Sequence, residues 1–284
     1  MVIPISTSKT RILDYDVIDT LGKGALSTIY AVKDAKGQLY SLKHVFKEKP
    51  DQQKFLDQAI LEHEISSKFD HGSLRKSFKI VKQRKMLKIN EVFVLMEFVD
   101  GLTLEQHRPE NILDVVKLWQ NVAMGLHEIH LAGYVHADVK PVNIMTTHNE
   151  EVKIIDFGQS CPVDTIKTRI QGTPDYIAPE QVLRRKITPQ TDIFCLGAAM
   201  YWCLTGEFVP TLIPNKEQKE KQEANNGKVV IPAPHEIKSS IPLALSKLIM
   251  ECVSIEPRDR PDTMIVVYDR LELAGIQSQR NAGA

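Results

Sequence analysis

Four side chains able to do chemistry crowd into the stretch from His136 to Gly158: Asp138, Lys140, Asn143 and Asp156. The stretch begins HADVKPVN, continues through a connector that reads as a short strand pair, and ends in DFG. Phosphoryl transfer asks for such a set, because its catalysis is mostly positioning and neutralisation of charge. One carboxylate must receive the proton of the acceptor hydroxyl, and an amide with a second carboxylate must hold a divalent cation on the nucleotide phosphates. Asp138, Asn143 and Asp156 fit those roles in that order.

The rest of the chain must supply elements that hold this set in place. With 284 residues, 43% apolar and 25% charged, it is long enough for two lobes around a cleft and has the composition of a folded globular protein. Lys plus Arg and Asp plus Glu both number 36, so no global field favours nucleic acid or an anionic membrane. The four cysteines form no CxxC pair, which suits reduced thiols in the cytoplasm and argues against structural zinc. The amino terminus lacks the apolar core of a secretory signal, and Cys195 to Leu204, interrupted by Gly197, is too short to cross a bilayer.

Tyr15 to Thr20 and Thr28 to Val32 read as strands flanking LGKGALS, and Leu39 to Val45 as a third strand carrying Lys43. Helical spacing of Phe55, Leu56, Ala59, Ile60 and Ile65 predicts a helix from Gln52 to Phe69, on which both Glu62 and Glu64 lie. Phe78 to Val81 and Val92 to Glu97 read as strands joined by a turn around Gln83 to Lys88. Seven of the fourteen residues from Arg75 to Lys88 are basic and none is acidic, which reads as a solvated hairpin face or a docking patch for an acidic partner. Thr103 and Gln106 form a capping-box pattern that predicts a helix start. The longest helical pattern runs from Leu113 to Leu131, and a last one from Met264 to Leu273. The polar run Asn215 to Lys228 reads as a solvated insert.

Taken together and in order, Gly22-x-Gly24-x-x-Ser27-x-Ile29, Lys43, Glu62, HADVKPVN, DFG, GTPDYIAPE, Asp192 within TPQTDIFCLG and Arg260 within PRDRP resemble the protein kinase family, in its serine/threonine division, over about residues 14 to 273. The resemblance implies an α+β, two-lobed fold. A small antiparallel-sheet lobe with one major helix would span 14–98 and a larger, mainly helical lobe 99–273, with an extension at 1–13 and a tail at 274–284. It implies transfer of the γ-phosphoryl group of ATP, bound with magnesium (manganese being the possible substitute), to Ser or Thr hydroxyls of a protein substrate. Ala137, which stands where arginine usually precedes the catalytic aspartate, adds the expectation that control comes from a partner near the Glu62 helix or from expression and not from loop phosphorylation.

Residue by residue, the resemblance places Gly22, Lys23, Gly24 and Ser27 in the loop over the phosphates, and Lys43 on the α and β phosphates, paired with Glu62 or, as the alternative, Glu64. Ile29 and Ser41 would form the roof over adenine and Met145 its floor. Met96 would guard the rear, the backbone of Glu97 and Val99 would bond the base, and Thr103 would end the hinge. Asp138 would act as base, Lys140 would contact the transferring phosphate, Thr173 would bond both, and Asn143 with Asp156 would hold the metal. Asp192 would cap the catalytic-loop backbone and Arg260 would pair with Glu180. The chain departs from the pattern at Ser27, at Ser66 where a large apolar residue is usual, at Val142, and at Ala137, which gives HAD for HRD and implies the non-RD subtype. A nucleotide-binding scaffold without activity, and a kinase of small molecules, are the competing readings.

Overall fold

The computed structural model describes residues 10–282 apart from 25, 86 and 215–230, so the polar run Asn215 to Lys228 lies outside the described residues. The chain divides into two compact units. The first holds the described residues up to Asp70 with Arg75–Asp100, the second His71–Leu74 with the described residues from Gly101 onward.

The first unit is a six-stranded antiparallel sheet in the order β1 (Arg11–Ile12), β2 (Tyr15–Lys23), β3 (Ser27–Lys33), β4 (Leu39–Phe46), β6 (Lys88–Glu97), β5 (Ser77–Lys85), with helix α1 (Gln53–Ser66) packed on it. Strand period two explains how the sheet is buried on both faces. Val92, Val94 and Met96 of β6 meet Leu56 and Ala59 of α1, while Phe93 and Leu95 join Val32 and Leu42 on the opposite face. Strands β5 and β6 run further than their apolar alternation predicts: Lys85 pairs with Lys88, and the turn shrinks accordingly. Backbone pairing continues there because Lys82, Gln83, Arg84 and Lys85 can all stay in water.

The second unit is mainly helical. Short strands β7 (Gly101–Thr103), β9 (Ile144–Thr147) and β10 (Val152–Ile154) form a sheet in the order β10-β9-β7, and β8 (Tyr134–Val135) pairs with β11 (Cys161–Pro162). Thr103 and Gln106 do make the reciprocal hydrogen bonds of a capping box, Thr103 N–H to Gln106 Oε1 at 3.0 Å and Gln106 N–H to Thr103 Oγ1 at 3.3 Å. They close a turn, however, not a helix. Residues 101–103 are already committed to pairing with β9, and helix α2 (Ile112–Leu131) starts only where Asn111 accepts from Leu113 N–H. Gly101 is required at this pairing: a Cβ there would lie 2.3 Å from the Thr146 carbonyl oxygen.

Around α2 follow α3 (Pro179–Val182), α4 (Pro189–Thr205), α5 (Pro234–Ile237), α6 (Leu243–Cys252) and α7 (Met264–Ala282), the last longer than its apolar spacing suggests. Helix α2 packs against α7, and α4, apolar on nearly every side, packs against α6. Among the described residues no helix is long and apolar enough to cross a membrane. The α+β architecture that the resemblance implied is the one present.

Candidate active site

In the first unit the buried stripe of α1 runs Leu56, Ala59, Glu62, Ile65, Ser66, so one carboxylate sits where the spacing calls for an apolar residue. A buried charge without a partner is costly. Strand β4 supplies the partner: the alternation that turns Val45 toward α1 turns Lys43 the same way, and Lys43 Nζ donates to Glu62 Oε2 at 2.5 Å. Glu64 is exposed. Arg75 Nη2 stands 3.7 Å from the other oxygen, Glu62 Oε1, which has no hydrogen-bond partner among the described residues.

Gly22 and Lys23 end β2, opposite Ile29 and Thr28 of β3, and Gly24 N–H donates to the Ser27 carbonyl at 2.7 Å. That amide, expected to face phosphate, is therefore engaged in closing the hairpin. Ser41 is buried, paired in register with Ala31 and with Met96, and Met96 is buried in the cluster under α1. Glu97 ties β6 to the start of β5, accepting from Lys76 N–H through Oε2 at 3.0 Å and donating its own N–H to the Lys76 carbonyl at 2.9 Å. Val99 follows outside the strands, half-buried.

The second unit builds its loop on Asp192. This fully buried carboxylate accepts from His136 N–H (2.8 Å), Ala137 N–H (2.7 Å) and His130 Nε2 (2.8 Å). Burial alone would push its carboxyl up, yet the hydrogen bond and charge of His130 and the bond from His136 hold it below the usual carboxylate range. Ala137 is thereby fixed at φ 61°, a left-handed conformation that alanine rarely adopts. Beyond this turn stands Asp138. Its Oδ1 accepts from the Thr173 hydroxyl at 2.9 Å and its Oδ2 from Lys140 Nζ at 2.7 Å, while the same lysine also donates to Thr173 Oγ1 at 2.6 Å. Asp138, Lys140 and Thr173 thus form a closed triangle. Met145, in β9 opposite Thr103, is half-buried.

Asn143 donates its amide nitrogen to the Asp138 carbonyl at 3.0 Å, which leaves its amide oxygen as the atom able to meet a cation. Its own carbonyl accepts from Ile155 N–H at 2.8 Å, so the backbone of Asn143 is tied to the residue before Asp156. Asp156, at φ 66°, accepts from Gly158 N–H through Oδ1. The donors drawn together are amide and carboxylate oxygens, the type that magnesium prefers. No sulfur or imidazole competes in the set, so these residues fit the ion that the resemblance implies.

Three residues were not singled out by their motifs. Gln181 puts its buried side-chain amide against the Ala137 and Gln171 carbonyls. Lys167 donates to the Gln159 carbonyl at 2.6 Å, and burial lowers its ammonium below the usual lysine value. Arg75 adds its charge beside Glu62. Gln181 and Lys167 belong to no run of spaced apolar or repeated residues, and Arg75 was visible only as the first residue of the basic run to Lys88. Ser160 is buried, with its hydroxyl toward the His136 carbonyl, so it is not presented to a modifying enzyme.

The geometry agrees with what known proteins share with this chain. Residues 15–270 match the protein kinase domain family. A serine/threonine-protein kinase A of Synechocystis is 28% identical across 91% of this chain and 52% of its own length. Aurora kinase of Saccharomyces cerevisiae is 29% identical across 87% of this chain and 66% of its own. Serine/threonine-protein kinase PknD of Chlamydia pneumoniae is 24% identical across 91% of this chain and 31% of its own. The chain therefore spans about half the length of the first of these relatives and less than a third of the last. With nine-tenths of its length matched, and with an α+β fold, the chain belongs to the protein kinase domain family.

Proposed function

We propose that the chain is an ATP-dependent protein serine/threonine kinase. The observation that carries the reading is the closed triangle of Asp138, Lys140 and Thr173, with Asn143 and Asp156 tied beside it by the Asn143 carbonyl. In this reading Asp138 receives the acceptor hydroxyl's proton and Lys140 meets the transferring phosphate. Asn143 and Asp156 hold magnesium, which neutralises charge on the nucleotide phosphates when bound. Lys43, held by Glu62, meets the phosphates further back. The names of the Synechocystis and Chlamydia relatives, both serine/threonine-protein kinases, favour a protein acceptor.

The reading includes independence from phosphorylation of the segment between DFG and APE, and the non-RD character given by Ala137. No arginine stands before Asp138 to await neutralisation by a phosphate. The segment is held without one: the Thr165 carbonyl accepts from Ile187 N–H, Asp164 N–H donates to the Ile187 carbonyl, Lys167 reaches back to Gln159, and Arg184 donates to the Thr168 carbonyl.

The test is incorporation of labelled phosphate from magnesium-ATP into a generic protein substrate, with Asp156→Ala as control. Label on Ser or Thr that disappears in the control is the expected result. Nucleotide binding without any transfer would return the chain to the reading of an inactive nucleotide-binding scaffold. Replacing Thr165 and Thr168 together by alanine should leave turnover within about tenfold, or about 1.4 kcal/mol of barrier. A much larger loss, restored by acidic residues at those positions, would make the segment a phosphorylation switch.

A further inference from the structure

Gln181 follows Glu180 in α3 and is almost fully buried. Its side-chain amide uses every position it has. The nitrogen donates to the Ala137 carbonyl at 2.8 Å and to the Gln171 carbonyl at 3.2 Å, and the oxygen accepts from Ala178 N–H at 3.0 Å and from the Cys195 thiol at 3.7 Å. The amide orientation is thereby fixed, since exchanging its oxygen and nitrogen would set the oxygen against two carbonyls.

The two carbonyls it holds belong to different pieces of chain. Ala137 immediately precedes Asp138, and Gln171 lies just upstream of Thr173. Ala137 is left-handed, a conformation that costs an alanine about 1–2 kcal/mol and persists only when its surroundings impose it. Asp192 holds only the N–H of that residue. The carbonyl on its other side is held by Gln181. One side chain therefore fixes the turn that aims Asp138 and, through its second N–H, the chain that carries Thr173 to it.

We propose that Gln181 is a positioning residue for phosphoryl transfer: it locks the turn before Asp138 to the segment before Thr173, so that the 2.9 Å contact between them is kept. It touches no reacting atom. Without it, either Ala137 relaxes from its left-handed conformation and swings Asp138, or the segment drifts and takes Thr173 with it. Misplacement of about 1 Å at a reacting group costs up to about a hundredfold in rate. Lys43 and Asp156 are not bonded to Gln181, so nucleotide affinity should be spared. The inference rests on the roles proposed above for Asp138 and Thr173.

Gln181→Met fills the volume without donors, and Gln181→Asn keeps the donors on a shorter stem. Both are to be measured for kcat and for the KM of magnesium-ATP, beside thermal unfolding. The expected result is a kcat lower by about 10- to 100-fold in the methionine variant and by less in the asparagine variant, with KM within about twofold. In a double-mutant cycle with Thr173→Ala the losses should combine less than multiplicatively, because both act on one contact. Leu248→Ala, in the core of α6, supplies a destabilised reference whose kcat should not change. A kcat within twofold of the wild type in folded Gln181→Met, or fully multiplicative losses in the cycle, would overturn the proposal. So would failure of both Gln181 variants to fold, which would leave the residue a purely stabilising role. Asp138→Asn measured in parallel separates the two levels. If it is as active as the wild type, the site assignment itself fails; if it is inactive while the Gln181 variants are unaffected, only this inference fails.

Discussion

Glu180 and Glu62 are both about 3% exposed and both face a cation, yet they are held very differently. Arg260 meets both oxygens of Glu180, at 2.8 and 3.0 Å, and places its other N–H groups on the carbonyls of Ser254, Gln190 and Ile255. Thr191 adds a hydroxyl to Glu180 Oε1 at 2.8 Å. Glu62 accepts from Lys43 through Oε2, while its Oε1 has only Arg75 nearby, at 3.7 Å and beyond hydrogen-bond distance. Among the described residues both oxygens of Glu180 accept hydrogen bonds, whereas of Glu62 only Oε2 does. The difference separates parts that must not move from a part that can. A buried carboxylate with both oxygens met holds one geometry, whereas one with an unmet oxygen can trade partners at little cost. On this argument the loop around Asp138 and its supports form a fixed frame, and α1 with Glu62 is the adjustable element.

The largest expected effect falls inside the fixed frame. Asp138→Asn should keep nucleotide affinity while lowering turnover by about 10² to 10⁴, the range for a lost general base or orienting group. Asp156→Asn should instead abolish productive binding of magnesium-nucleotide. Titration calorimetry on both variants checks the contrast, and equal loss of nucleotide binding in both would sink the division of roles.

Next comes the frame's own stability. Arg260→Met leaves Glu180 buried with only a threonine hydroxyl, and removing one partner of such a pair costs about 3–5 kcal/mol. Urea unfolding measures this, and a loss below about 1 kcal/mol would show that the pair is not what fixes α3 to α4.

How much of this could be read from the sequence divides along the same line. Elements with a strong period were legible: α2 and β6 announce themselves because one face, or both, must be apolar. Asp138, Asn143 and Asp156 stood out as a set of side chains suited to phosphoryl transfer, and Lys43 was picked out only through the resemblance to the protein kinase family. Thr103 and Gln106 misled, because their local pattern matches a helix start while pairing of Gly101–Thr103 with β9, a contact distant in sequence, decides the backbone there. Gln181 was invisible for a related reason. Its partners, Ala137 and Gln171, offer only backbone carbonyls, and a backbone acceptor leaves no trace in residue type. Between Glu62 and Glu64 the helix period alone could not choose; the apolar stripe formed by α1 against the sheet makes that choice.

A smaller effect is expected at the adjustable pair. Glu62→Gln keeps an oxygen for Lys43 and gives the side chain an amide in place of the carboxylate oxygen that has no hydrogen bond. Lys43 is itself partly exposed, with 19% of its side chain in contact with solvent, so its charge can be hydrated. Unfolding stability should therefore change by less than about 1 kcal/mol, against the several expected at Arg260. Turnover should fall about tenfold as the charged tether of Lys43 becomes a neutral, weaker one. A stability loss equal to that of Arg260→Met would mean that α1 is as firmly fixed as the loop around Asp138, and the contrast between the two units would fail.

The smallest effect concerns Lys167, and its signature is a dependence on pH. Burial lowers its ammonium from the usual 10.5, outweighing the favourable charges of Cys161, Asp138 and Asp192. The folded protein therefore releases this proton at a lower pH than the unfolded chain does. Between the lowered folded value and 10.5 the unfolded state binds more protons, so the lysine's contribution to stability rises with pH across that window. One group can give a slope of at most about 1.4 kcal/mol per pH unit. Lys167→Met removes the titration, so the wild type should gain stability relative to the variant as pH climbs through the window, and the difference should level off above 10.5. Urea unfolding of both proteins across that range measures it. A difference that stays flat or falls with rising pH would place the Lys167 ammonium in water, and the segment that it ties to Gln159 would then belong with α1 among the adjustable parts.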